Sequence, residues 1–240
     1  MENMVLSVII PCYNEASRLS LKEKIIRVYN ELSFIVKQFE LILVDDGSTD
    51  NTYEVLNNIS SAYNIKLLRN EENRGKGYSI RRGMVEASGN YILYMDADLS
   101  TPIYNVRGMS ELLKKYDCVI ASRYIEGSEI CIRRSIIRIF ISKLCRVLIH
   151  IIFKLGVNDS QCGFKLLKKD ENFKIDTLKC DRWLFDIELL LYLKRNGYKI
   201  KEYPVSWTNN KESTLIPIDA IKSSYKEFFI ILKEFRRNKK

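Results

Sequence analysis

Tyr91-Ile92-Leu93-Tyr94-Met95-Asp96-Ala97-Asp98 is an apolar run that breaks into two carboxylates one residue apart. Five apolar residues in a row suit a strand covered on both faces, and the change at Asp96 predicts that the strand ends there in a loop. Alternate side chains of an extended segment point the same way, so Asp96 and Asp98 can converge on one point. Converging carboxylates repel unless a cation lies between them. Hard oxygen ligands at the open end of a strand suit Mg²⁺ or Mn²⁺ already carrying a phosphate-bearing substrate. A lone Asp-x-Asp is more often an ordinary solvated loop, so the flanking chain must decide.

Upstream, the same design recurs. Val5 to Ile10 is an apolar run closed by Pro11 and followed by Cys12-Tyr13-Asn14-Glu15, and a helical pattern runs from Leu19 to Phe39. Leu41 to Val44 ends in Asp45-Asp46-Gly47-Ser48-Thr49-Asp50, where Ser, Thr or Asp can cap a helix reaching Tyr63. Ile65 to Leu68 reads as a third strand, then come Asn73-Arg74-Gly75-Lys76-Gly77 and a helix to Ala87. Downstream, Thr101-Pro102 opens another helix and Cys118 to Ala121 another strand. Strands alternating with helices predict an α/β fold, a mostly parallel sheet flanked by helices. Ligands of such sheets bind beyond the carboxyl ends of the strands, where Tyr13, Glu15, Asp45, Asp46, Asp96 and Asp98 fall. The first strand is not followed by Gly-x-Gly-x-x-Gly, and Gly75-Lys76-Gly77 is not a P-loop, which excludes the usual dinucleotide and P-loop sites. What remains is a nucleotide site lined by acids that can accept hydrogen bonds from ribose and base, with a metal to screen a diphosphate.

The 240 residues, 46% of them apolar, suffice for one large core. No uncharged apolar stretch reaches the roughly 18–20 residues of a membrane span. Met4 to Ile10 lacks the features of an export signal, so the expectation is a cytoplasmic protein. Six cysteines without close pairing or metal-ligand spacing predict reduced, mostly buried thiols. Charge is uneven: residues 1–120 hold 14 Lys and Arg against 16 Asp and Glu, and residues 121–240 hold 25 against 14. The second half should therefore meet something anionic. Its segment 132–156 is heavily apolar yet interrupted by Arg138, Lys143, Arg146 and Lys154. It reads either as a helix lying in the membrane interface or as a core helix with snorkelling cations. Ile218 to Phe235, followed by Arg236-Arg237-Asn238-Lys239-Lys240, forms a second basic amphipathic candidate.

Ser7-Val8-Ile9-Ile10-Pro11-Cys12-Tyr13-Asn14-Glu15, Val44-Asp45-Asp46-Gly47-Ser48-Thr49-Asp50, Asn73-Arg74-Gly75-Lys76-Gly77 and Asp96-Ala97-Asp98 together resemble the successive motifs of the family 2 glycosyltransferases of the GT-A fold. Asp159-Ser160-Gln161-Cys162-Gly163-Phe164-Lys165, Arg182-Trp183-Leu184-Phe185-Asp186-Ile187-Glu188 and Val205-Ser206-Trp207-Thr208 resemble its polyprenyl-phosphate branch. That resemblance implies a nucleotide-sugar site of Pro11, Tyr13, Glu15, Asp45, Asp46, Lys76, Asp96 and Ala97, with Mg²⁺ or Mn²⁺ on Asp96 and Asp98. It implies catalytic roles for Asp98 and Asp186, the latter as an orienting group or a base, and an acceptor-phosphate clamp of Arg123, Arg134 and Arg138. Relatives often carry Ser-Lys-Leu where this chain has Ser213-Thr214-Leu215, so a cation is missing there and Lys211 is the candidate stand-in.

The expected organisation is a GT-A domain over 1–217, including the interfacial segment 132–156, and a basic amphipathic helix over 218–240. The expected reaction is inverting transfer of a hexose, glucose from UDP-glucose, to a polyprenyl phosphate on the cytoplasmic face of a membrane. Nucleic acid is not an expected partner; a membrane-protein partner or a homo-oligomer stays open. Two alternatives stand beside this reading: a soluble transferase acting on a glycan hydroxyl, which would need a carboxylate base, and a nucleic-acid-binding module using the basic half.

Overall fold

A computed structural model describes residues 4–16, 21–131, 146–208 and 218–237. Its centre is a seven-stranded sheet in the order β3-β2-β1-β4-β7-β5-β8. The strands are β1 (Val5–Cys12), β2 (Gln38–Asp45), β3 (Lys66–Arg69), β4 (Tyr91–Met95), β5 (Cys118–Ser122), β7 (Phe164–Lys168) and β8 (Ile200–Pro204). All neighbours pair in parallel except at β7, which runs antiparallel to both β4 and β5. A short parallel pair, β6 (Glu129–Ile130) with β9 (Ser206–Trp207), lies apart from it. The expected mostly parallel α/β sheet is thus present, with one reversed strand in its middle.

The helices are α1 (Leu21–Ile35), α2 (Thr52–Tyr63), α3 (Lys76–Glu86), α4 (Asn105–Leu112), α5 at 146–153, α6 (Phe185–Arg195) and α7 (Ile218–Arg237). In α1, Leu21, Ile25, Val28 and Leu32 are buried at helical spacing, so one stripe faces the sheet. The first helix is shorter than the Leu19 to Phe39 pattern suggests. Gln38 and Phe39 belong to β2, because β1 offers them register partners in Val5 and Leu6, and strand pairing overrides the helical period. Pro11 is inside β1, beyond the part that pairs with β4, so its missing N–H interrupts only one ladder.

Along β4, Ile92, Leu93, Tyr94 and Met95 are each at most 1% exposed, as a strand covered on both faces requires. Helix α7 is packed onto the body of the protein. Phe153 of α5 meets Phe228 and Phe235 edge to face at 5.8 and 5.7 Å, and Ile231 is buried. Among the described residues no helix is long and apolar enough to cross a membrane. Cys12, Cys118, Cys162 and Cys180 are buried and Cys131 is exposed. Burial pushes the Cys118 and Cys162 thiols up to about 12.

Candidate active site

The loops beyond β1, β2 and β4 build one edge of the site. After β1 the chain turns through Asn14 at φ 50°, a left-handed conformation that asparagine tolerates. It is then pinned to the loop after β2. Asn14 N–H donates to Ser48 Oγ (3.0 Å), Glu15 N–H to Thr52 Oγ1 (2.7 Å) and Ala16 N–H to Asp50 (3.1 Å), while Thr49 N–H donates back to Asn14 Oδ1 (2.9 Å). Asp50 also accepts the Thr52 N–H (3.0 Å) at the start of α2. Pro11, Tyr13 and Glu15 therefore lie on one rigid rim, with the Tyr13 ring 43% exposed.

Asp45 and Asp46, adjacent in sequence, have different jobs. Asp46 accepts from Asn70 Nδ2 (2.7 Å), Asn73 Nδ2 (3.1 Å), Arg74 N–H (3.0 Å) and Gly75 N–H (2.8 Å), which saturates its carboxylate and fixes the loop between β3 and α3. Asp45 is fully buried; Oδ1 takes the Ser48 N–H at 3.3 Å, whereas Oδ2 has Arg69 Nε at 3.4 Å and no hydrogen bond. A buried acceptor left without a hydrogen bond is the more suitable of the two for a donor on a ligand.

At the end of β4, Lys76 from the start of α3 pairs with Asp96 at 2.5 Å. Gly75 precedes it at φ 108° and packs on Asp181 and Arg182, where a side chain would not fit. Asp98 accepts from Ser100 N–H (2.9 Å) and Oγ (2.7 Å), and the turn that brings it round places Leu99 at φ 55°. That is a strained conformation for leucine, of the kind that gathers at functional sites. Protein crowding lifts the Asp96 carboxyl above its usual range; Lys76 opposes the lift and Asp98 adds to it. Burial works against the Lys76 charge, but Asp96 and then Asp186 outweigh it and hold the ammonium firmly protonated.

Asp186 enters from the first turn of α6. Tyr94 and Lys165 are register partners across β4 and β7, so their side chains share a face, and both reach Asp186 Oδ1: the Tyr94 hydroxyl at 2.5 Å and the Lys165 ammonium in a short ion pair. Lys165 is wholly buried, and its ammonium also donates to the Cys162 carbonyl at 2.8 Å. Burial alone would raise the Asp186 carboxyl, yet Lys165, Lys76 and the two hydrogen bonds pull it below the ordinary carboxylate range. Asp186 is accordingly a fixed anion at neutral pH and a poor proton acceptor.

Arg123 was expected on the acceptor's phosphate. Its Nε and Nη2 instead grip the buried Asp159 two-pronged at 2.7 and 2.8 Å, with Asp159 also taking the Arg123 backbone N–H. Burial disfavours the guanidinium charge, but Asp159 more than restores it. That pair takes two of the five guanidinium N–H groups. Arg134 and Arg138, like Lys211, Ser213, Thr214 and Leu215, lie outside the described residues. Sequence reasoning assigned no role to Tyr94, Asp159 or Lys165. The available signal was a lysine and a tyrosine inside apolar strands, groups that need a partner when buried.

The donor set at Asp96 and Asp98 fits Mg²⁺ or Mn²⁺: hard carboxylate oxygens, and room beside Asp96 that exists because residue 163 is glycine. Among the described residues no group of three or more His, Cys, Asp or Glu could hold a metal ion.

Residues 7–173 match the family described as glycosyl transferase family 2. A dolichyl-phosphate β-glucosyltransferase of Dictyostelium discoideum is 32% identical over 232 residues, spanning 91% of this chain and 71% of that protein. The enzyme of the same name from Saccharomyces cerevisiae is 31% identical over 269 residues, spanning 100% and 79%. Among solved structures, glucosyl-3-phosphoglycerate synthase from Mycobacterium tuberculosis superposes with TM-score 0.67 at 19% identity, covering 97% of this chain and 80% of that one. A mannosyltransferase from Pyrobaculum calidifontis, in complex with GDP-Man and Mn²⁺, superposes with TM-score 0.55 at 20% identity, covering 87% and 58%. At such identities these structures speak for the shared fold.

Proposed function

The chain belongs to glycosyltransferase family 2, and from that premise we propose that it transfers glucose from UDP-glucose to a polyprenyl phosphate, with inversion, at a membrane surface. The observation that carries this reading is the extent of likeness to two dolichyl-phosphate β-glucosyltransferases, 91% and 100% of the chain. In this reading Pro11, Tyr13, Glu15 and Asp45 hold the nucleoside and Lys76 neutralises the diphosphate, with Asp46 acting through the loop it fixes. Mg²⁺ or Mn²⁺ held by Asp96 and Asp98 would stabilise the charge gathering on the departing UDP.

An oxygen of the lipid phosphate bonds to the anomeric carbon from the face opposite UDP, as the bond to UDP breaks. A phosphate monoester has its second pKa near 6 and arrives ionised, so no base is required. The lowered Asp186 carboxyl agrees: it serves to orient sugar or acceptor while Tyr94 and Lys165 hold it still. Arg134 and Arg138, four apart in sequence, remain the proposed phosphate grip, while Arg123 is braced on Asp159. Exposed Val147, Leu148 and Ile151 on α5 and Tyr225 and Phe229 on α7 would rest on the membrane that carries the acceptor.

The test is to incubate purified protein with UDP-glucose, UDP-N-acetylglucosamine or GDP-mannose and a polyprenyl phosphate, and to identify the lipid product by mass. A glucosyl lipid is expected from UDP-glucose alone. Transfer to a glycan hydroxyl without lipid would overturn the reading.

A further inference from the structure

Helix α7 delivers a buried carboxylate that none of the groups above uses. Glu227 is 6% exposed and accepts the backbone N–H groups of Arg182 (2.6 Å) and Leu184 (3.0 Å). Both belong to the loop that runs directly into α6, whose first turn holds Asp186. From the other side Glu188 of α6 accepts the N–H groups of Lys179 (2.9 Å) and Cys180 (2.7 Å). Two helices thus grip one loop, each through a carboxylate.

The third wall of this loop is α3, which carries Lys76. Tyr78 N–H donates to the Asp181 carbonyl (2.8 Å), and Arg81 pairs with the Asp181 carboxylate. Arg182 donates to the Asn73 side chain (3.0 Å), and Asn73 donates in turn to Asp46 (3.1 Å). Packing already anchors α7 through Phe228, Ile231 and Phe235, so anchoring the helix needs no buried charge. A carboxylate withdrawn from water is costly unless fully engaged, and this one is engaged with the main chain of the loop.

We propose that Glu227 is a positioning residue: it fixes loop 179–184 so that Asp186 on α6 and Lys76 on α3 keep one register. Helix α7 is then part of the catalytic assembly and more than a basic amphipathic appendage. The inference rests on the glucosyl-transfer reading for its activity measurements and on geometry alone for its exchange measurement.

Glu227→Gln keeps the shape but leaves one good acceptor for two N–H donors. With UDP-glucose and polyprenyl phosphate its kcat should fall about tenfold or more, the weight of about 1.4 kcal/mol. The KM for UDP-glucose and the circular dichroism spectrum should hold. Amide hydrogen exchange over 179–188 should rise, reaching the first turn of α6. Glu234→Gln is the control: Glu234 lies on the same helix in an exposed pair with Lys179 at 2.5 Å, and its loss should leave kcat within about twofold. Unchanged kcat in Glu227→Gln, or a loss no greater than its loss of folded protein, overturns the proposal. Should Glu227→Gln not fold, Glu227→Asp, which keeps the charge but shortens the reach, is read by the same criteria. If the wild type itself makes no glucosyl lipid, the glucosyl-transfer reading fails, and exchange decides this one: faster exchange at 185–188 in the variant upholds it and unaltered exchange overturns it.

Discussion

Two sets of carboxylates in this chain are held by different means. In one set, Asp46 and Asp50 of the first half and Glu188 and Glu227 of the second are satisfied largely by N–H groups of neighbouring loops, and Asp98 by the residue two places on. In the other set, Asp159 and Asp186 are satisfied chiefly by buried cations, Arg123 and Lys165. A carboxylate on N–H groups freezes backbone, which is what a donor loop needs. A carboxylate on a buried cation remains a full negative charge in a low-dielectric place, which suits an anion that must orient a reacting group without taking its proton.

Breaking one member of each kind should expose the difference most sharply. Lys165→Met leaves Asp186 buried beside Tyr94 with no cation at bonding distance, and removing one partner of a buried pair costs about 3–5 kcal/mol. Asp46→Ala unmakes the bonds to Asn70, Asn73, Arg74 and Gly75; Asn73 and Arg74 lie at or near the surface, where water and loop movement relieve the loss, at about 1–3 kcal/mol. Chemical denaturation of the two variants should rank them in that order. Equal losses would mean that the buried pair confers nothing beyond ordinary hydrogen bonding, and the contrast would fail.

This contrast also explains what could be read in advance. Strands β1 to β5, the loops at their ends and the placing of Asp45, Asp96 and Asp98 follow from apolar runs, turn residues and the parallel-sheet rule, all of them local patterns. Arg123 with Asp159 spans 36 residues, Lys165 with Asp186 spans 21 and Tyr94 with Asp186 spans 92. Such pairs exist only once β7 has inserted antiparallel between β4 and β5, and no local pattern announces that insertion. An arginine's partner is likewise a tertiary fact, so the Arg123–Asp159 pair is not legible in the sequence.

Asp98→Asn probes the N–H-bonded kind at the proposed metal site. Asparagine keeps an oxygen for the Ser100 N–H, so the turn should stay folded, but it gives up the negative charge. Turnover of UDP-glucose should fall by about two to three orders of magnitude, roughly 3–4 kcal/mol of barrier, and EDTA should reproduce the loss. Mn²⁺ affinity measured by electron paramagnetic resonance in the presence of UDP should weaken in parallel. Full activity of the wild type in EDTA would remove the metal from Asp96 and Asp98.

The smallest effect is expected at Asp50, which joins the start of α2 to Ala16 and lies partly in solvent. Its slight burial raises the carboxyl, but hydrogen bonds from Thr52 and from the Ala16 N–H outweigh this and bring it below its ordinary 3.8. A folded-state value below the unfolded one means that acid protonates the unfolded chain first. The stabilisation is therefore complete above about pH 4, across the neutral range, and is lost as pH falls through the folded-state value. Asp50→Ala should cost about 0.5–1 kcal/mol at pH 7, the low end for a residue serving a helix start because solvent screens it. For a chain of this size that is a Tm lower by roughly 2–3 °C. Thermal melts of wild type and variant should stay parallel from pH 7 to 5 and converge as the pH approaches 3. A gap that persists undiminished in acid would assign the Asp50 contribution to packing, and the N–H-bonded carboxylates of the first half would lose their distinction from ordinary polar contacts.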